Sequence, residues 1–235
     1  MKVAVINFSG NPGKTTLVDN LLAPRMRAQK FQVETINAGA STNDPAERLK
    51  GKNYGALQED LMLIDSAIVD VGASNVEEFI KQMGQFAGSH EEFDYFLVPT
   101  VSEKKQQIDT VNTIETLAGL GVPAKKIRVV FNKVELEDAN DVSHLFATVF
   151  GFYAETKRFT LRPEAVVFKN EVFERLHALQ KTVSEIVTDE TDYRAMLREA
   201  KTEDAKSFAV GMISAQRLAR SAYQNLEDVY KTLFK

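Results

Sequence analysis

Residues 3–16, reading VAVINFSGNPGKTT, crowd several chemically capable side chains into one short turn. Gly10, Asn11, Pro12 and Gly13 make a tight small-residue stretch, and Lys14, Thr15 and Thr16 follow at once. Backbone N–H groups of such a turn and of the helical turn after it point into one concavity, where an anion meets unpaired donors and the positive helix end. A lysine at the place of Lys14 reaches the β and γ phosphates of a nucleotide, and the Thr15 hydroxyl can take one Mg²⁺ coordination position. Gly10 and Gly13 admit a close backbone approach, and Pro12 stiffens the turn between them. The plain alternative is a strand-to-helix turn that binds nothing.

Positioning these groups requires a strand before the turn and a helix after it. The apolar run 3–6 reads as a buried parallel strand, and a helix is expected over 14–22. Similar units recur, with strands expected at 3–7, 31–36, 67–70, 95–98, 127–131 and 165–168 and helical stretches between them. Repeated strand-helix units predict an α/β fold: a predominantly parallel sheet with helices on both faces and functional loops at the strand carboxyl ends. Two strand ends are chemically marked. Asp70 closes one and is followed by Gly72; a carboxylate there can hold Mg²⁺ through its water shell, while the glycine lets the backbone approach a γ phosphate. Asn132-Lys133 closes another. Its amide can donate to a ring nitrogen and accept from an exocyclic amine. Asn-Lys is also compatible with an ordinary turn or with guanine recognition, although Val134-Glu135 lacks the aspartate of the Asn-Lys-x-Asp pattern.

Composition narrows the class. The chain has 235 residues, 44% hydrophobic and 26% charged, with a formal charge of −4. This balance argues against a uniformly basic surface, while a local basic patch stays open. No run approaches the roughly 20 apolar residues of a bilayer span. Met1-Lys2 runs straight into the first strand, leaving no room for a separate signal peptide, so a cytoplasmic location is expected. The absence of cysteine excludes disulfides and thiolate metal sites, and the three histidines lack a short zinc spacing. Oxygen-ligated Mg²⁺ is the expected metal.

The turn resembles the deviant phosphate loops of the ParA/MinD class of P-loop ATPases, whose pattern reads K-G-G-x-G-K-[ST]. Gly10, Gly13, Lys14 and Thr15 coincide with it, Asn11 takes the second glycine's place, and Ser9 stands where the class carries its signature lysine. Within that class, INFSGNPGKTT, LLAPR at 21–25 and VETINA at 33–38 look closest to StbB-type plasmid stabilisation proteins. The resemblance covers about residues 1–188 and implies ATP or ADP with Mg²⁺ as cofactors. It also implies ATP hydrolysis and ATP-dependent homodimerisation in plasmid stabilisation, segregation or conjugative transfer. A plasmid DNA-binding adaptor and association with nucleoid or plasmid DNA belong to the same expectation.

Further site residues come from this resemblance. Asp70 and Gly72 match the start of the class's switch, and Asn132 matches an asparagine that contacts adenine. Asn170 falls where a loop often covers the base, with capping of the following helix as its simpler role. The class also carries an Asp-x-Asp segment that places water or metal. Here Asn37 is the positional match and Asp44 an unmatched acidic candidate, with helix capping ahead of Pro45 as its alternative role. The missing acid pair and Ser9 make a nucleotide-responsive binding module with little turnover a second reading. A small-molecule kinase is a third.

Residues 189–235 are expected to form a helical extension packed on the same domain, with two helices split around 202–204. Its many Arg and Lys residues could favour DNA directly, but acidic residues intersperse them. The stripe Leu226, Val229, Tyr230, Leu233 and Phe234 is read first as packing, with membrane contact as the lesser alternative.

Overall fold

Alternation of side chains along the apolar runs divides the interior into two cores. Ala4, Ile6, Val69, Phe96, Val98, Val129 and Phe131 are buried in one, while Val3, Val5, Ile68, Leu97 and Val130 are buried in the other. A strand with both faces covered needs this continuous apolar sequence, because successive side chains point to opposite sides. The computed structural model describes residues 1–34, 47–50 and 54–235, with Glu34 and 47–50 described for their backbone.

In chain order the elements are β1 (Lys2–Val5), α1 (Lys14–Leu17), a π turn (Val18–Leu22), α2 (Ala23–Met26), β2 (Gln29–Glu34), β3 (Glu47–Lys50) and α3 (Tyr54–Leu63). There follow β4 (Ala67–Val71), α4 (Val76–Gln85), β5 (Tyr95–Thr100), α5 (Lys104–Gly119), β6 (Ile127–Val134), α6 (Val142–Leu145) and α7 (Ala147–Thr156). The chain ends with β7 (Val166–Phe168), α8 (Val172–Leu179), α9 (Val183–Val187), α10 (Tyr193–Glu199) and α11 (Glu203–Phe234). Among the described residues the strands form one seven-stranded sheet in the order β3-β2-β4-β1-β5-β6-β7. Every pairing among them is parallel. The expected α/β architecture is therefore the observed one. β1 lies at the centre, between β4 and β5, where connections leave in both directions; ligands of open parallel sheets bind at such reversals.

Several local expectations change. β3 is an additional edge strand where the sequence suggested a helix start after Asp44. Residues Glu47–Lys50 pair with Phe31–Glu34. Asp44 and Asn37 lie outside the described residues. The first helix continues past Leu22 to Met26 through the π turn. Two residues account for this. The Asn20 amide donates to the Thr16 carbonyl, and Pro24 at the start of α2 brings no N–H to a regular ladder. Asn75 stands at the N-cap of α4, yet its amide turns to the Val33 carbonyl at 3.1 Å instead of capping.

α11 runs across the second core. Ala215, Ala219, Ala222, Leu226, Val229 and Leu233 recur every three or four residues and are buried there. The packing role expected for the terminal stripe holds for Leu226, Val229 and Leu233, with Tyr230 and Phe234 packed beside them. Arg25 reaches from α2 to Glu227 at 2.8 Å and lies over the Tyr223 ring, joining the first helical run to α11. Among the described residues no helix is long and apolar enough to cross a membrane.

The β7 edge of the sheet is closed by a side chain. Asn225 of α11 accepts the Phe168 N–H at 3.0 Å and donates to the Val166 carbonyl at 2.9 Å, standing in for a neighbouring strand. Asn225→Ala leaves both groups without this partner and should cost about 1–3 kcal/mol of stability. Urea denaturation followed by circular dichroism checks this, and an unchanged midpoint would show that solvent replaces the clamp without loss.

Candidate nucleotide site

The small-residue turn leaves the end of β1 and is gripped at both ends by buried amides. Asn7 is fully buried and donates to the Pro99 carbonyl at 2.8 Å and the Thr110 hydroxyl at 2.9 Å. Its Oδ1 accepts the Ser9 N–H at 2.7 Å, bending the chain away from the strand. At the other end Asn132, from the tip of β6, donates to the Pro12 carbonyl at 2.7 Å. Gly13 sits against that amide with φ 84, and a Cβ at this position would lie 2.5 Å from Asn132 Nδ2. Glycine is therefore required twice, by conformation and by proximity.

Lys14 and Thr15 open α1 directly after this glycine. The Lys14 ammonium is buried and donates to the carbonyls of Ser9 at 2.7 Å and Asn7 at 3.1 Å. Burial lowers its pKa from the ordinary lysine value, and the nearby Asp70 charge acts in the opposite direction. Asp70 arrives through the pairing of β1 with β4, in which Val5 lies opposite Asp70. The Thr15 hydroxyl donates to Asp70 Oδ2 at 2.7 Å. Two hard oxygen groups from different elements thus meet at one edge of the cradle.

Two adjoining cavities share Gly13 and Thr16. The first, about 200 Å³, is lined by Gly10, Asn11, Gly13, Lys14, Thr15, Thr16, Gln32, Asp70, Gly72 and Ala73. The second, about 370 Å³, has apolar walls from Leu17, Val167, Phe168 and Phe173, with Asn132, Lys133, Lys169, Asn170 and Glu174 at its polar positions. One cavity suits a chain of phosphates. The other, larger and mostly apolar, suits a flat heterocycle.

The residues selected from sequence are thereby sorted. Gly10, Asn11, Gly13, Lys14, Thr15, Thr16, Asp70 and Gly72 come together around the first cavity. Pro12 is buried and positions the turn through its carbonyl. Asn132 and Asn170 line the second cavity, but Asn170 is already engaged: Oδ1 accepts the Val172 N–H at 2.9 Å, and Nδ2 donates to Ser221 Oγ at 3.1 Å. These bonds hold Asn170 to the start of α8 and to α11, although the N-cap position of α8 itself is Glu171. Ser9 is buried within the turn, whereas Lys104 and Lys105 are exposed at the start of α5 and line neither cavity.

No family model and no curated protein sequence matches the chain. Solved structures do. McdA from Cyanothece, in its apo form, superposes with a TM-score of 0.56 at 14% identity, covering 91% of this chain and 98% of that one. MinD from Aquifex aeolicus gives 0.53 at 10% identity, covering 98% of this chain and 94% of that one. The same organism's MinC:MinD complex gives 0.54, again at 10% identity and with 98% and 94% coverage. The chain has the fold of McdA and MinD.

Sequence reasoning overlooked Gln32, Asn7, Lys133 and the aromatic walls Phe168 and Phe173. Gln32 reaches the phosphate-side cavity because it lies opposite Asp70 in the β2–β4 pairing, a relation that no local pattern carries. For Lys133 there was a signal, the polar pair ending an apolar strand, and its weight fell entirely on Asn132. Gly13→Ala should disrupt the site more than the fold: left-handed backbone costs roughly 1–2 kcal/mol for a non-glycine residue, and Asn132 must also move. A modest drop in melting temperature with loss of at least tenfold in nucleotide affinity is expected from thermal melts and calorimetry. Wild-type affinity in the variant would show that the close approach of Asn132 is dispensable.

Proposed function

We propose that the chain binds ATP with Mg²⁺ and hydrolyses it slowly, as a member of the ParA/MinD class. The observation that carries this reading is the pair of cavities joined at Gly13 and Thr16, the first bearing Lys14, Thr15 and Asp70 and the second bearing apolar walls. A nucleotide fits this division with its phosphates against the turn and its base beside Asn132. Phosphate oxygens would compete with the Ser9 and Asn7 carbonyls for the Lys14 ammonium, and a charge-assisted bond favours the phosphate.

The donor set also fits Mg²⁺, which uses one or two protein oxygen groups, phosphate and water. Thr15 and Asp70 would hold it, and the ion would neutralise charge between the terminal phosphates. Adenine is favoured over guanine by the disposition of Glu135. Its carboxylate pairs with Lys169 at 2.6 Å and lies outside the cavity lining, so it is not presented to a guanine edge. Asn132 lines the base-side cavity, its amide donating to the Pro12 carbonyl and accepting the Lys133 N–H, so that one N–H of the amide is left to offer the base.

Slow turnover is inferred from what surrounds the phosphates. Asp70 is the single carboxylate among the described residues lining that cavity, and Thr15 already bonds to it. Asp44 is retained as a candidate for placing the attacking water. Assembly is read as an ATP-dependent homodimer over the phosphate face. An open groove of about 560 Å³, lined by Phe8, Ala73, Ser74, Glu77, Asp109 and Asn112, adjoins the cradle through Ala73. Plasmid stabilisation or partition through a DNA-binding adaptor, in the manner of StbB-type proteins, is the biological setting suggested by the sequence resemblance. Residues 189–235 are assigned to the same structural unit as the P-loop part, as the burial of α11 in the second core supports.

Two measurements test the reading. Isothermal titration should give Mg²⁺-strengthened ATP binding with GTP at least tenfold weaker. Asp70→Asn should keep most metal-free ATP binding while losing the Mg²⁺ increment, because the shape remains and the charge goes. Equal ATP and GTP affinities would reject the base assignment, and an undiminished Mg²⁺ increment would reject Asp70. Separately, analytical ultracentrifugation at intermediate protein concentration should show mass doubling with ATP and Mg²⁺ but not with ADP. A monomer under all nucleotide conditions removes the dimer from the reading.

A further inference from the structure

β6 and β7 fall out of register at a single residue beside the P-loop. Phe131 pairs with Val166 and Asn132 with Val167, and pairing resumes between Val134 and Phe168, so Lys133 is the extra residue of a β-bulge. Its φ of 58 puts it in the left-handed region, where a lysine Cβ crowds the backbone and glycine or asparagine would sit more easily. Strained non-glycine backbone of this kind persists where the surroundings over-determine it, often at functional sites. The bulge re-aims the side chain over the P-loop, and Lys133 Nζ donates to the Asn11 carbonyl at 3.3 Å. Among the described residues no carboxylate forms an ion pair with it.

Lys133 therefore lines the base-side cavity while touching Asn11, which lines the phosphate-side cavity. A nucleotide lying across both must pass its innermost phosphates through this junction. We propose that Lys133 is a phosphate-binding cation supplied in cis, which exchanges the Asn11 carbonyl for the inner phosphates of the bound nucleotide and provides charge that Ser9 cannot. The assignment rests on the nucleotide-binding reading given above. It predicts a site with two lysines from one chain, Lys14 at the outer phosphates and Lys133 at the inner ones. The flexible stem and point charge of lysine suit such an exchange of partners.

Lys133→Gly separates charge from structure, since glycine relieves the left-handed backbone while removing the cation. Thermal melts of the full chain should show equal or greater stability. Calorimetric titration with ADP and with ATP should show about tenfold weaker binding, the loss of one charge-assisted hydrogen bond. Lys133→Arg should recover most of the affinity, and the salt dependence of ADP binding should be shallower in the glycine variant. The deficit should not change with protein concentration, because the cation and the ligand belong to one chain. Unchanged ADP affinity in folded Lys133→Gly would overturn the inference while leaving the nucleotide reading intact. A deficit seen only at dimer-forming concentrations would overturn the cis assignment. Wild type that binds neither nucleotide would overturn both.

Discussion

The hydrogen bonds that hold the turn between β1 and α1 are the constraint on which this site depends. A phosphate cradle must leave backbone N–H groups free for a ligand, and such a turn has little internal bonding to keep its shape. Here neighbouring elements hold the shape together with the bonds from Lys14 to the Ser9 and Asn7 carbonyls. Asn7 fixes the start of the turn to β5 and α5, and Asn132 fixes its end to β6. The contact at Gly13 leaves no room for a side chain, so loop, helix start and strand tip are locked together. The same interaction places the larger, mostly apolar cavity next to the smaller polar one without a separate device.

Electrostatics follows from that geometry. Burying Lys14 weakens its hold on a proton, an effect moderated by Asp70 from the neighbouring strand. Asp70 also accepts the Thr15 hydroxyl, so cation, hydroxyl and carboxylate are held at one sheet edge before any ligand is considered. Preorganised charge of this kind lowers the reorganisation needed when a polyanion binds. Lys133 adds charge at the seam, from a backbone conformation that lysine seldom takes.

The cradle is not isolated from the rest of the molecule. α1 passes into a π turn, and Asn20 within that turn accepts the Val183 N–H at 2.8 Å, tying it to α9. Arg25 donates to the Asn20 and Leu21 carbonyls and reaches Glu227 of α11. Displacement of α1 on the phosphate side would thus be felt by the C-terminal helix through rigid contacts.

Sequence by itself determined the class of fold and singled out the residues on which a chemistry was expected. Apolar runs with strand-like length, each followed by a helix, specified a parallel sheet, and six of the seven strands were legible in that way. Gly10, Gly13, Lys14, Thr15, Asp70 and Asn132 could be selected because a phosphate turn and polar strand ends are local patterns. What stayed illegible was non-local. β3 is a four-residue strand with the polar sequence ERLK, and its identity comes from pairing with β2. Gln32 enters the site through register with Asp70, Asn170 is claimed by contacts with α11, and Asn225 closes an edge far away in sequence. Lys133 depended on a one-residue slip between β6 and β7. Tertiary structure decided these roles because strand register and side-chain partners are settled between segments, whereas turn chemistry is written within one.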